Sequence, residues 1–244
     1  MNRLRKCVTI SGRSMIRSSL AFTLIYLLGY AVLVSAILII KNNESAVYFN
    51  SGYDIGAAIF AFVYVTSSYK EINNFLLMFG NTRRTIFQSK VVVNIAMCVI
   101  LAFMSFLFIG IDSVQSGVLS PGPKLFRSST NAIYPGAGIA SEFIFTLALY
   151  ILVTSFAMVY GSLVYKLGKL FIVTFWICFG MAFVLLPVIV DIYGIGDTLA
   201  MIIIMYLCIY MPNGIFLASA NFIITALVLY GFAYLVARRQ PQVV

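Results

Sequence analysis

Phe143-Ile-Phe-Thr-Leu-Ala-Leu-Tyr150-Ile-Leu-Val-Thr154-Ser-Phe-Ala-Met-Val-Tyr160-Gly-Ser-Leu-Val-Tyr165 runs without a single charged residue. A helix of this length reaches roughly 34 Å, enough to cross a hydrocarbon core of about 30 Å. The rest of the chain repeats the pattern. Hydrophobic residues make up 62% of the 244 residues and charged residues only 9%. A soluble domain carries about 25% charge, so lipid is the solvent this composition fits. Candidate spans are Ser19–Ile40, Tyr53–Tyr69, Val91–Ile111, Phe143–Tyr165, Leu170–Val190 and Ile215–Ala237. The first is too long for a signal-peptide core and lacks a small-residue cleavage site, so it reads as a retained span. The expected fold is all-α, a single polytopic transmembrane domain over 1–244 with six crossings. No internal repeat is visible.

The net charge of +9 is distributed as a topology signal, not as a nucleic-acid stripe. With the N-terminus placed in the cytoplasm, the inner segments hold Arg3, Arg5, Lys6, Arg13, Arg17, Lys70, Arg83, Arg84, Lys90, Lys166, Lys169, Arg238 and Arg239. Those are 13 of the 16 basic residues; Lys41, Lys124 and Arg127 fall outside. Among the acids only Glu71 lies inside. Both termini are therefore expected in the cytoplasm, and the number of crossings is even.

Parity governs a seventh apolar run, Leu199–Met211, which is too short to cross and ends at Pro212-Asn213-Gly214. It reads as a short re-entrant helix before the last span. The alternative is one long final helix from Thr198, kinked at Pro212. Residues 1–18 read as an amphipathic helix on the inner membrane surface, with Leu4, Val8, Ser11 and Met15 on one face. The outer loop, 112–141, carries turn signals at Ser120-Pro121-Gly122-Pro123 and Tyr134-Pro135-Gly136.

Several chemistries are excluded by what the chain lacks. There is no His, so no Ser–His–Asp or Cys–His set exists, and no Cys/Asp/Glu cluster has metal-ligand spacing. Cys7, Cys98, Cys178 and Cys208 read as free thiols acting as small hydrophobes. No span holds a charge near its middle, which argues against proton or ion coupling. Gly161 to Gly168-Lys169 has the wrong spacing for a phosphate loop and reads as a helix terminus with basic anchors. The chain is not expected to be an enzyme, nor to bind a cofactor or metal.

The inner loop 70–90 is the most informative segment. Ile72, Phe75, Leu76 and Phe79 recur at helical spacing, with Glu71, Asn73, Asn74 and Asn81 as the polar complement. Gly80 fits a helix C-terminus and Asn81 or Thr82 a cap for the next helix. A short surface helix, a turn and a second helix entering span three are expected. The loop either lies on the membrane with Arg83 and Arg84 on lipid phosphates, or forms a knob that docks a cytoplasmic partner.

Phe79-Gly80-Asn81-Thr82-Arg83-Arg84-Thr85-Ile86-Phe87 resembles the cytoplasmic segment between spans two and three of the permease subunits of bacterial ABC exporters of the second type. The layout of basic N-terminus, six spans and short element before the last span is also similar, most of all to small Gram-positive peptide-exporting permeases. The resemblance implies a bacterial cytoplasmic membrane, a second permease copy, and a separate ATPase subunit that carries the ATP and Mg. It implies a coupling helix, made here of Glu71, Ile72, Asn74, Phe75, Phe79, Gly80, Arg83 and Arg84. Asn94 and Asn221, rare amides within spans, are the candidates to line a substrate path. An interior rich in Phe (21) and Met (10) suits an amphipathic or lipid-like substrate. The competing class is a membrane immunity, sensor or scaffold component that transports nothing.

Overall fold

The computed structural model describes residues 2–40, 53–119, 134, 139–193, 196–209, 211 and 213–239. Within these residues the chain forms seven helices: α1 (Asn2–Ile40), α2 (Tyr53–Met78), α3 (Arg83–Leu119), α4 (Ile139–Leu167), α5 (Lys169–Tyr193), α6 (Gly196–Leu207) and α7 (Gly214–Arg238). Four of them are long and apolar enough to cross a membrane: α1 over Leu4–Val32, α3 over Arg83–Phe108, α4 over Ala140–Leu167 and α7 over Gly214–Arg238. The protein is an α-helical membrane protein. α2 is of spanning length, but polar residues and the pair Lys70-Glu71 dilute its lower half. The described apolar part of α5 extends only over Lys169–Ala182.

α4 is the central post and packs against α2, α3, α5 and α7. α2 presents one stripe at nearly regular four-residue spacing: Tyr53, Ala57, Ala61, Val65, Tyr69, Asn73 and Leu76 are all buried. The two alanines leave room for close approach between helices. Gly161 of α4 extends this fit, since a Cβ there would stand 3.1 Å from the Tyr69 side chain. Gly56 does the same toward Tyr26 of α1, at 2.9 Å. α3 runs antiparallel to α4, with Ser105 hydroxyl to Tyr150 Oη at 2.6 Å and Cys98 Sγ to Thr154 Oγ1 at 3.5 Å. Thr154 Oγ1 also meets Tyr230 Oη of α7 at 3.1 Å, so one hydroxyl joins three helices at the bundle centre.

The separate surface helix expected over 1–18 is absent as an element. α1 is continuous from Asn2, and Cys7, Ser11, Met15, Ser19 and Thr23 form one buried stripe through the expected boundary. Small and apolar residues every fourth position pack as one face, whereas Arg5, Lys6, Arg13 and Arg17 point outward. α2 likewise continues without a break from Tyr69 into the segment expected to be a surface helix. The segment 112–141, expected to be the outer loop, is helical through Leu119; its turn signals lie outside the described residues except at Tyr134, which is buried.

The kinked single helix from Thr198 is excluded. Tyr206 of α6 shares a hydrogen bond with Thr225 of α7 at 2.8 Å. In one continuous helix these residues would lie roughly 28 Å apart. The return is made at Cys208 and Asn213, with φ of 53° and 60°. It requires Gly214, where a Cβ would stand 2.1 Å from the Cys208 carbonyl oxygen. Tyr134 Oη donates to the Leu207 carbonyl at the end of α6. All four cysteines are free thiols, with Cys7, Cys98 and Cys208 buried and Cys178 exposed.

Candidate functional site at the basic end of the bundle

The first turn of α1, the α2–α3 connection and the last turn of α7 meet at one end of the bundle. Cys7 packs with Leu76 and Ile86 in a small cluster flanked by Ile72 and Leu77. Arg83 Nη1 donates to the Arg238 carbonyl at 3.1 Å, placing a cation at the negative end of the α7 dipole. Arg5, Lys6, Lys70, Arg84 and Arg239 are exposed around it.

The turn itself is built as the sequence suggests. Gly80 adopts φ +69°; its N–H donates to Leu77 O at 2.9 Å and the Asn81 N–H to Leu76 O at 3.4 Å. This paired return closes a helix C-terminus and favours glycine at the left-handed position. Thr82 caps α3, its Oγ1 accepting from the Thr85 N–H at 3.3 Å and its carbonyl from the Ile86 N–H at 3.0 Å. Of the apolar stripe, Leu76 is buried, while Phe75 (46% exposed) and Phe79 (67%) face outward, as does the neighbouring Met78 (83%). The rings of Phe75 and Phe79 meet edge to face at 4.8 Å. Glu71 and Arg84 are exposed beside them. Asn74 is engaged inside the chain, its Oδ1 accepting from Tyr165 Oη at 2.7 Å, and Asn73 is buried. The turn is thus an exposed aromatic knob on a base anchored to α4 and α7.

Two turns into α3 lies a group that sequence reasoning assigned to the inner surface. Lys90 is only 6% exposed. Its Nζ donates to the Tyr69 carbonyl at 2.7 Å and stands 3.7 Å from the Tyr69 ring centroid. Among the described residues no carboxylate pairs with it. Lys90 separates two small cavities. One, about 20 Å³, is lined by Tyr69, Asn73, Arg83, Phe87 and Tyr165 among others. The other, about 10 Å³, is lined by Ser11, Tyr64, Val65, Ser68, Ile72, Val93, Asn94 and Met158. Asn94 therefore lines a small, partly polar cavity toward the basic end of the bundle. Ser11, Tyr64 and Lys90 join it there; the only sequence signal for them is their polarity within helical runs.

Asn221 lies elsewhere. Its Nδ2 donates to the Tyr206 carbonyl at 2.8 Å and approaches Cys208 Sγ at 3.7 Å. It fastens α6 to α7 and satisfies a carbonyl left free at the α6 terminus. Among the described residues no group of three or more Cys, Asp or Glu residues is placed to hold a metal. Searches against protein-family models, curated proteins and solved structures find no match to the chain.

Proposed function

We propose that the chain is the membrane-spanning permease subunit of an ATP-driven exporter in a bacterial cytoplasmic membrane. In this reading α2 and α5 complete six crossings, α6 is re-entrant, and the basic end of the bundle faces the cytoplasm, where the positive-inside rule puts it. A second permease copy and a separate ATPase that binds ATP and Mg complete the transporter, and the cargo is amphipathic or hydrophobic, a peptide among the candidates. The observation that carries the proposal is the exposed pair Phe75 and Phe79, held edge to face on a capped turn at the basic end. Aromatic side chains presented on a rigid base and ringed by polar groups are the form that hot spots take at protein interfaces. Exposed Glu71 and Arg84 supply charges for the rim of such a contact.

The test is capture of the ATPase encoded or purified with this chain, followed by transport into vesicles. Phe75→Ala and Phe79→Ala lower capture by about thirtyfold or more, the scale of a 2 kcal/mol hot spot, and transport falls with it while membrane insertion is unchanged. Capture and transport at the unaltered level in both variants would sink the proposal. Loss of function on changing Arg83 and Arg84 alone would instead favour a loop resting on lipid phosphates.

A further inference from the structure

α1 carries five cations, Arg3, Arg5, Lys6, Arg13 and Arg17, and no Asp or Glu. Its buried stripe passes through Ser11, Met15 and Ser19. Arg13 and Arg17 lie two positions to either side of Met15, so each stands about 160° round the helix from that stripe, and both are exposed. Among the described residues neither guanidinium has a hydrogen-bond or ion-pair partner. Their depth is set by α2. Ser14 lies beside Tyr64, and the Phe22 ring stacks on Phe60 at 4.4 Å. Arg13 and Arg17 are thus level with the uncharged part of α2, on the membrane side of Lys70. A guanidinium keeps its charge at such a level and is costly to leave among hydrocarbon tails. Like charges one turn apart on a helix also repel. One anion shared by the pair relieves both penalties.

We infer that the outward ridge of α1 seats one anionic phospholipid of the leaflet at the basic end, its phosphate held by Arg13 and Arg17. Helix side chains lean toward the N-terminus, so Arg17 reaches back to the level of Arg13, and a single phosphodiester accepts from both forks. The same ridge continues as Leu20, Leu24 and Leu28, which are 51%, 61% and 57% exposed. From Leu20 to Leu28 is roughly 12 Å, most of the half-thickness of a core of about 30 Å. The ridge therefore offers two cations and then an apolar track of leaflet length, the order of charge and hydrocarbon in a phospholipid. α1 packs inward on α2 and α3, which leaves this ridge to the bilayer. The inference requires α1 in a membrane but neither an ATPase nor a cargo, so it stands or falls apart from the transport reading.

The experiment places the full chain in nanodiscs of phosphatidylcholine with a rising fraction of phosphatidylglycerol, and counts retained lipids by native mass spectrometry. One phosphatidylglycerol is expected to be kept in preference to phosphatidylcholine by roughly thirtyfold, the scale of two arginines at a lipid surface. The thermal midpoint rises with the phosphatidylglycerol fraction and saturates, as a ligand of the folded state requires. The double variant Arg13→Gln, Arg17→Gln loses both the preference and the rise. Lys166→Gln with Lys169→Gln removes the same charge from exposed positions off the ridge and keeps both. Equal retention of the two lipids, equal loss in the two double variants, or a midpoint raised as much by inorganic phosphate as by phosphatidylglycerol would each overturn the inference. A disulfide between two copies through Arg17→Cys, without lipid preference, would give the ridge to a second copy and overturn it too. Should the arginine double variant not fold, Arg17→Gln alone decides by the same count.

Discussion

Tyr165 Oη donates to Asn74 Oδ1 at 2.7 Å, and this bond ties the last turns of α2 to the last turns of α4. It carries the exposed turn beyond Asn74 on a base fixed to the central helix. Tyr165→Phe removes the donor and leaves a partly buried amide oxygen without it. The expected loss is about 1 kcal/mol, read as a lower thermal midpoint. Protease cleavage near Asn81 should accelerate by about fivefold, the equivalent of that energy, because the knob is held less firmly.

Two glycines give opposite expectations under the same substitution. Gly80 has φ +69°, a conformation that costs an L-residue roughly 1 kcal/mol, so Gly80→Ala destabilises by about that amount. Gly12 lies inside α1, and a Cβ there meets nothing within 4 Å. Gly12→Ala gains roughly 0.5–1 kcal/mol from helix propensity. Thermal unfolding of the two variants should bracket the parent protein.

Gly214→Ala tests the return between α6 and α7. A methyl there would fall 2.1 Å from a backbone carbonyl, which no side-chain rotation relieves. The expected cost is about 1–3 kcal/mol. Its signature is faster hydrogen exchange confined to α6, because Asn221 and Thr225 lose register with Tyr206 while α4 keeps its contacts.

Topology is checked by labelling from outside intact cells. In a Cys178→Ser background the remaining native thiols are buried, so an introduced thiol reports cleanly. Gln115→Cys should react with an impermeant maleimide, and Gln240→Cys only after permeabilisation. The reverse pattern would invert the orientation drawn from the basic residues.

The parts of this structure legible in the sequence are those set by local chemistry. Uncharged runs give α4 and α7, and Gly80 followed by Thr82 gives the turn and its cap. What escaped reading depends on partners distant in the chain. The α1 stripe of Cys7, Ser11, Met15 and Ser19 alternates with arginines and lysines, so its composition resembles a surface helix although its spacing is that of a packed face. Lys90 reads as a flanking base that reaches back to water. Its burial follows from Tyr69, which supplies both the carbonyl and the ring. Asn221 looks like a lining residue until α6 is seen folded back upon it.

The central position of α4 has a consequence for how the protein is made. Helices emerge from the ribosome in order, and α1, α2 and α3 precede the helix they share. Met158 and Tyr165, which help wall the two cavities around Lys90, are synthesised after about two thirds of the chain. Until then the lysine is covered by α1, α2 and α3 alone, with the α4 wall of both cavities missing, and the insertion machinery must hold three helices with an unsealed polar seam. Lesions in α4 should therefore appear first as degradation of nascent chains at the translocon, before any effect on the finished protein is seen.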